Sequence, residues 1–140
     1  MEFLLYLNPQ GQQLIRDMIS AKFHIHENVG ICRNRNNFGY TKTPNKFVVC
    51  TNNIKRSGFD TKFYINETLY HEAVHVAQIC KGTKILGLKI KNMPLSSDKI
   101  QSVKSSFNST SNNNYHREYE AYYLEDKSEQ VRQLVRKFCF

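Results

Sequence analysis

Two histidines and a glutamate near the middle of the chain have the spacing of a hydrolytic zinc site. The stretch YHEAVHVAQ, residues 70–78, places His71 and His75 four positions apart, with Glu72 directly after the first. On a helix, side chains four residues apart lie on the same face, so both imidazoles can reach one metal ion. Glu72 lies about 100° further round, where it can reach a metal-bound water without binding the metal itself. The pattern predicts hydrolysis by a zinc-activated water, with Glu72 as general base.

The residues around the motif help to decide between a metal site and a chance match. An H-E-x-x-H pattern arises by accident in roughly a few per cent of chains of this length. The neighbouring positions are those of a buried helix, in which unpaired histidines would be costly: Leu69, Ala73, Val74, Val76, Ala77 and Ile79. The pattern therefore favours zinc over an ordinary helix that happens to carry two histidines.

A catalytic zinc ion needs a third protein ligand, which must come from outside this motif. The extended metzincin signature is excluded, because Gln78 and Lys81 stand where it requires a glycine and a histidine. Donors recur downstream in HREYEAYYLED, residues 116–126: His116, Glu118, Glu120 and Glu125. Glu118 and Glu120 point about 200° apart on a helix, so only one of the two can face the metal.

HEAVH followed at a distance by REYEA resembles the gluzincin zinc peptidases, and most closely their members with a Glu-x-x-Ala-Asp ligand motif. The resemblance implies that His71, His75 and Glu118 bind one zinc ion per chain, because an alanine follows Glu118 by three positions. It assigns the general base to Glu72. Glu120 is the alternative third ligand, and otherwise a solvated charge. The implied fold is a small zincin-like α+β domain, and the implied substrates are peptides or proteins.

The resemblance extends to groups that support the ligands. In the family, the residue after that alanine is usually an aspartate that holds a ligand histidine in place. This chain has Tyr122 there, and its phenol can accept the same hydrogen bond. The second motif also offers donors for the oxyanion, among which the sequence does not choose: Tyr115, His116, Arg117, Tyr119 and Tyr122.

The substrate of a gluzincin lies along a strand, because these enzymes present an edge strand beside the zinc to which an extended peptide adds. FVVCTNN precedes the motif helix in the right order for that role. The expected edge-strand residues are Val49, Cys50, Thr51 and Asn52. Asn52 and Asn53 either lie near the cleft or simply end the strand as turn formers.

Three elements that would position the first motif can be predicted from local signals. Asn8 followed by proline is typical of a helix N-cap and predicts a first helix. Residues 46–54, KFVVCTNNI, have the β-branched and aromatic side chains of a strand. Asn66 as N-cap and Gly82 as stop predict a motif helix over residues 67–80.

The last third of the chain is predicted to hold a loop and a helix. Residues 94–114 are dense in Ser and Asn and predict a long loop. Residues 115–137 place Leu124, Val131 and Leu134 on one apolar stripe and predict a long C-terminal helix that carries Glu118. The whole predicts a single α+β domain over residues 1–140, with a short mixed sheet.

The net charge suggests a second class of function. Lys plus Arg number 20 against 12 Asp plus Glu, which gives a net charge of +8. Six lysines between Lys81 and Lys104 face one acid, Asp98, and form either a solvated loop or a surface for a polyanion. The alternative function is a zincin-shaped, non-catalytic module that binds nucleic acid or an acidic protein. His24 and His26 share one side of an extended segment, as surface histidines or as a second metal site.

The cysteines and the apolar runs bear on location. The four cysteines, Cys32, Cys50, Cys80 and Cys139, form no C-x-x-C pair and are predicted to be buried free thiols. No apolar run approaches the ~20 residues of a membrane span, and the opening residues lack the features of a signal peptide. The expected location is the cytoplasm, without a membrane partner.

Overall fold

The structure, a computed structural model, describes residues 1–109 and 115–140, with the side chains of residues 1–106 and 115–140. The described residues form six α-helices and three strands: α1 (Pro9–Ser20), β1 (His24–Glu27), β2 (Gly39–Lys42), β3 (Lys46–Val49), α2 (Thr51–Arg56), α3 (Thr61–Lys81), α4 (Ser97–Ser109), α5 (Tyr115–Leu124) and α6 (Ser128–Cys139). Short 3-10 helices lie at Glu2–Tyr6, Gly30–Arg33 and Ile90–Asn92. The predicted α+β class is confirmed.

The first helix begins where its capping signal predicts. The Asn8 side chain accepts a hydrogen bond from the Gly11 amide at 2.8 Å, and a proline occupies the first turn. Leu14, Ile15 and Met18 form the buried face of α1. This N-cap satisfies one of the amides that a helix start leaves without an intrahelical partner.

The sheet has the order β1-β3-β2, with β3 parallel to β1 and antiparallel to β2. The predicted strand over residues 46–54 is right only as far as Val49, because α2 begins at Thr51. Hydrogen bonds to asparagine side chains hold the chain out of the strand after Val49. The Asn28 side chain accepts one of them from the Asn52 amide at 2.9 Å. The Asn53 side-chain amide donates to three loop carbonyls, those of Cys32, Asn34 and Asn37.

The expected substrate strand is therefore wrong. Val49 belongs to the central strand, whose two sides are both paired, so no peptide can add there. Cys50 follows the strand, and Thr51 and Asn52 form the first turn of α2. The edge strand β2 also lies against α3, through Gly39 and Thr41.

The motif helix α3 is longer than predicted. It begins at Thr61, because Asp60 is the N-cap and accepts a hydrogen bond from the Phe63 amide at 2.8 Å. Asn66, the predicted cap, lies inside the helix, and its side chain donates to the carbonyl of Tyr6 at 2.9 Å. The predicted stop at Gly82 is confirmed, with a left-handed φ of 81°. α3 packs against α5, α6 and the sheet, which makes it the central helix.

The predicted loop over residues 94–114 is wrong over most of its described part. α4 occupies Ser97–Ser109, and the Ser96 hydroxyl accepts a hydrogen bond from the Lys99 amide at 3.2 Å. Val103 is fully buried in a cluster with Met93 and Tyr119, so tertiary packing holds a helix of low local propensity. Residues 110–114 of the prediction lie outside the described residues.

The predicted helix over residues 115–137 is two helices. α5 ends at Leu124 and α6 begins at Ser128, with a turn in which the Lys127 ammonium donates to the Tyr123 carbonyl at 2.8 Å. The turn lets Val131 and Val135 of α6 pack into the core that α3 shares. Periodicity alone cannot detect such a break, because the apolar stripe continues across it.

The prediction of free thiols is also wrong. Cys32 pairs with Cys50, and Cys80 pairs with Cys139, so all four cysteines form disulfides. The paired residues are 18 and 59 positions apart in the sequence, and only tertiary packing brings them together. None of the described helices is both long enough and apolar enough to cross a membrane.

Candidate metal centre

α3 and α5 bring three side chains of types that can bind a metal ion to one point. Glu118 Oε2 lies 3.2 Å from His75 Nε2, and Glu118 Oε1 lies 3.6 Å from His71 Nε2. One ligand atom from each of the three residues lies within 4.8 Å of the others. Tetrahedral ligands ~2 Å from a zinc ion are roughly 3.3 Å from one another, so the observed spacing fits the metal. Among the described residues, no other group of His, Cys, Asp and Glu has this geometry.

His71 is held from behind by a carboxylate. Its Nδ1 contacts Glu125 Oε1 at 2.8 Å, so Nδ1 carries a proton and Nε2 faces the cluster. Tyr122 was expected in this role and does not fill it. The Tyr122 ring meets the His71 ring edge-on at 4.5 Å between centroids, and its hydroxyl contacts Ser106 Oγ at 3.0 Å. One sequence feature could have identified Glu125 as this partner: it follows Glu118 by seven residues, about two helical turns.

His75 is held by a neutral amide. Its Nδ1 contacts Gln78 Oε1 at 2.7 Å. The Gln78 amide nitrogen donates to Glu120 Oε1 at 2.9 Å and to the Arg117 carbonyl at 3.1 Å. The sequence indicates no such role for Gln78, which stands where the extended metzincin signature requires a glycine.

Glu120 is neither the third ligand nor a solvated charge. Its side chain is 0% exposed and accepts hydrogen bonds from the amides of Leu86, Gly87 and Leu88 at 2.7, 2.9 and 3.0 Å. The prediction that only one of Glu118 and Glu120 can face the metal agrees with these contacts, because the two side chains contact different sets of residues.

The predicted general base is oriented by the sheet. The Thr41 hydroxyl contacts Glu72 Oε1 at 2.8 Å, whereas Glu72 Oε2 lies 4.0 Å from His71 Nε2. β2 approaches α3 so closely that a Cβ at Gly39 would lie 2.6 Å from the Thr68 methyl and 2.9 Å from the Val48 carbonyl. Only glycine fits there, and this close approach delivers Thr41 to the base. No local pattern in the sequence indicates a role for Gly39 or Thr41 at this site.

Of the other candidates near Glu118, one borders the cluster and three do not. Arg117 Nη1 donates to Glu118 Oε2 at 3.0 Å. The Tyr119 hydroxyl donates to the Met93 carbonyl at 2.7 Å, and His116 Nε2 contacts the Leu88 carbonyl. Tyr119 and His116 therefore contact the backbone of residues 88–93 and not the cluster. Tyr115 packs its ring against that of Tyr119, with centroids 5.8 Å apart.

The cluster is strongly polarised. Burial opposes the ionised form of Glu118, but the charge of His75 and hydrogen bonds to both histidines outweigh it and hold the pKa of Glu118 well below its usual range. Burial likewise lowers the pKa of His71, but Glu118, Glu125 and Glu72 together raise it well above 6.5. A positive charge at the centre of the cluster is therefore strongly favoured.

A cleft of about 490 Å³ lies on the side of α3 that carries Glu67, and Glu125 forms part of its wall. Phe63, Tyr70 and Asp126 also line it. Burial and the nearby charge of Glu125 raise the pKa of Glu67 to about 7. The cleft thus borders the carboxylate that orients His71.

Comparison with known proteins identifies one family. A family model described as a domain of unknown function, DUF8637, matches residues 3–140. No curated protein and no solved structure matches the chain. Because the family match extends over nearly all of the chain, the protein belongs to the DUF8637 family.

Proposed function

We propose that this protein is a zinc-dependent metallopeptidase of gluzincin type with a zincin-like fold. One observation carries the proposal: the ligand atoms of His71, His75 and Glu118 converge to within 4.8 Å, and Glu72 faces the same point. Two imidazoles and one carboxylate form the donor set of many catalytic zinc sites, and they leave a fourth position for water.

The surroundings of the ligands support a metal rather than a simple ion pair. Each histidine directs Nδ1 to an acceptor, Glu125 or Gln78, and directs Nε2 to Glu118. In metal sites, such acceptors fix the ring orientation and raise the basicity of the ligand nitrogen. A divalent cation would replace the protons that otherwise lie between the histidines and Glu118.

The proton transfer would belong to Glu72. A bound zinc ion would supply Lewis acidity, which lowers the pKa of a bound water and polarises the peptide carbonyl. Because Thr41 holds Oε1, Oε2 is the oxygen of Glu72 that is free to take a proton from the attacking water and pass it to the leaving amine. Arg117 is a cationic donor at the edge of the cluster and would stabilise the oxyanion.

The substrate would add to β2 in place of the strand expected from the sequence. β2 runs antiparallel to the central strand at one edge of the sheet, and its residue Thr41 contacts the proposed base. An extended peptide paired with the free side of β2 would lie next to Glu72.

Metal analysis and paired variants test this function. We expect one zinc ion per chain, lost in His71→Ala. Glu72→Gln should retain the zinc and lose at least ~100-fold in turnover of a mixed peptide library, since general-base catalysis contributes that much. A chelator should abolish cleavage by the parent protein. Unchanged cleavage by Glu72→Gln would refute the assigned base.

The disulfides favour an oxidising compartment over the cytoplasm expected from the sequence, because cytosolic reductants keep thiols reduced. Protein isolated without reductant should then contain no titratable thiol. About four thiols per chain in material taken from its native source would restore the cytoplasmic location.

A basic binding module is the second candidate, and one observation favours it. Register places His24, Lys46 and Lys42 side by side across the three strands, and none of them pairs with an acid among the described residues. This row could contact nucleic acid or an acidic protein. Binding to nucleic acid would weaken steeply with salt, whereas peptide hydrolysis need not.

A further inference from the structure

Gln78 joins a proposed zinc ligand to a buried carboxylate on another helix. It lies in α3 and is 1% exposed, and its amide oxygen receives His75 Nδ1 at 2.7 Å. Its amide nitrogen contacts Glu120 Oε1 of α5 at 2.9 Å. The three side chains thus form a continuous hydrogen-bonded chain from the cluster into the core.

The orientation of the Gln78 amide follows from its neighbours. Both groups around its nitrogen, Glu120 Oε1 and the Arg117 carbonyl, are acceptors. Only the NH₂ group can face them, so the amide oxygen must face His75. An oxygen at that position requires a proton on Nδ1 of His75, which leaves Nε2 to face Glu118.

Glu120 is itself fixed by backbone amides. Oε1 accepts from Leu86, and Oε2 accepts from Gly87 and Leu88, so three successive amides point at one carboxylate. Gly87 has a φ of +93°, a conformation that other residues rarely adopt, and it produces this concave arrangement of amides. Glu120 therefore has little freedom to turn away from Gln78.

We infer that Gln78 and Glu120 are positioning residues, which together set the ring orientation and tautomer of His75 so that Nε2 is presented to the metal. The inference rests on the proposed zinc site. The amides of residues 86–88 hold Glu120 in the orientation that Gln78 requires.

Three variants of the full chain test this arrangement. Gln78→Met removes the acceptor with little change in length, and Glu120→Gln removes one of the two carboxylate oxygens. Lys81→Met is the matched control, because it removes a 2.9 Å hydrogen bond from Lys81 Nζ to the Leu86 carbonyl and leaves in place Gln78, Glu120 and the three amides that bind Glu120. Zinc affinity is measured by chelator competition, and the His75 Nδ1 proton by ¹⁵N-edited NMR.

We expect roughly 10–100-fold weaker zinc binding in Gln78→Met and Glu120→Gln, the usual effect of removing such a partner. The slowly exchanging Nδ1 proton signal of His75 should disappear in both, and Lys81→Met should change neither. Affinities within twofold of the parent with an unchanged signal would overturn the inference. So would an equal loss in Lys81→Met, because that variant leaves both Gln78 and Glu120 in place.

A folding defect and a failure of the proposed function can each be distinguished. If Gln78→Met does not fold, Gln78→Leu replaces it; this side chain also lacks an acceptor for His75, so the Nδ1 signal should disappear, and its persistence would count against the inference. A protein that binds zinc without cleaving peptides leaves this test intact. A protein that binds no metal removes the proposed function, and the Nδ1 signal then tests the contact by itself.

Discussion

The two histidines of the cluster are held by different chemistry. His71 is hydrogen-bonded to Glu125, a carboxylate in the wall of a cleft. The His71 side chain is 13% exposed. His75 is hydrogen-bonded to the neutral amide of Gln78, and its side chain is 4% exposed. A carboxylate stabilises the protonated ring, whereas an amide mainly fixes its direction. Zinc binding through His71 should therefore depend on pH and on nearby charges, whereas zinc binding through His75 should depend on the packing that orients its ring.

The largest expected effect comes from removing the charge behind His71. Glu125→Gln should weaken zinc binding by roughly 10–100-fold and lower the pKa of His71, because a neutral amide stabilises the imidazolium less than a carboxylate does. Chelator competition and NMR titration of the ring measure the two effects. Asp126→Asn is the control, since Asp126 also pairs with Lys99 at 3.5 Å without contacting His71. Equal losses in both variants would contradict a specific role for Glu125.

Zinc binding near neutral pH should release the proton of His71. The pKa of His71 lies well above 6.5 in the metal-free protein, so the ring is charged at pH 7 and the metal must displace that proton. Calorimetry in buffers of different ionisation enthalpy counts the protons. The count should be about one lower at high pH, once the ring has titrated. A count that does not change with pH would show that His71 is already neutral.

The stability of the metal-free protein should fall at both ends of the pH range. The raised pKa of His71 gives a contribution that is present below pH 6.5 and lost as pH rises through the folded-state pKa. The depressed pKa of Glu118 gives one that is present above pH 4.5 and lost as pH falls. Thermal melts of the metal-free protein measure both effects, and zinc should remove the alkaline loss. A stability that rises steadily through alkaline pH would contradict the charged pair.

The smallest expected effect lies in the cleft next to His71. The pKa of Glu67 is raised from 4.5 to about 7, so its contribution to stability is lost as pH rises between these values. Glu67→Gln should stabilise the protein above pH 7 by about 1 kcal/mol, since solvent screens a half-buried charge, and the gain should vanish near pH 4.5. Glu129→Gln, an exposed acid of α6, is the control for melts at both pH values. A gain that does not depend on pH would exclude this cause.

The part of this centre that could be predicted from the sequence is the part that depends on one helix. The pairing of His71 with His75 follows from helical spacing, and the choice of Glu118 followed from a resemblance over a few residues. The groups behind the ligands could not be assigned, because Gln78, Glu120 and Thr41 reach their partners only through contacts between α3, α5 and β2. Asparagines end the predicted strand through side-chain contacts with distant loops, which no local pattern contains.

The proposed function requires that His71, His75 and Glu118 bind one zinc ion together. X-ray absorption spectroscopy of the zinc-loaded protein, with zinc quantified after dialysis, tests it most directly. We expect one zinc ion per chain, with scattering from two imidazoles and an oxygen ligand, and with one imidazole lost in His75→Ala. Zinc that dialyses away, or a bound zinc whose spectrum contains no histidine, would contradict it.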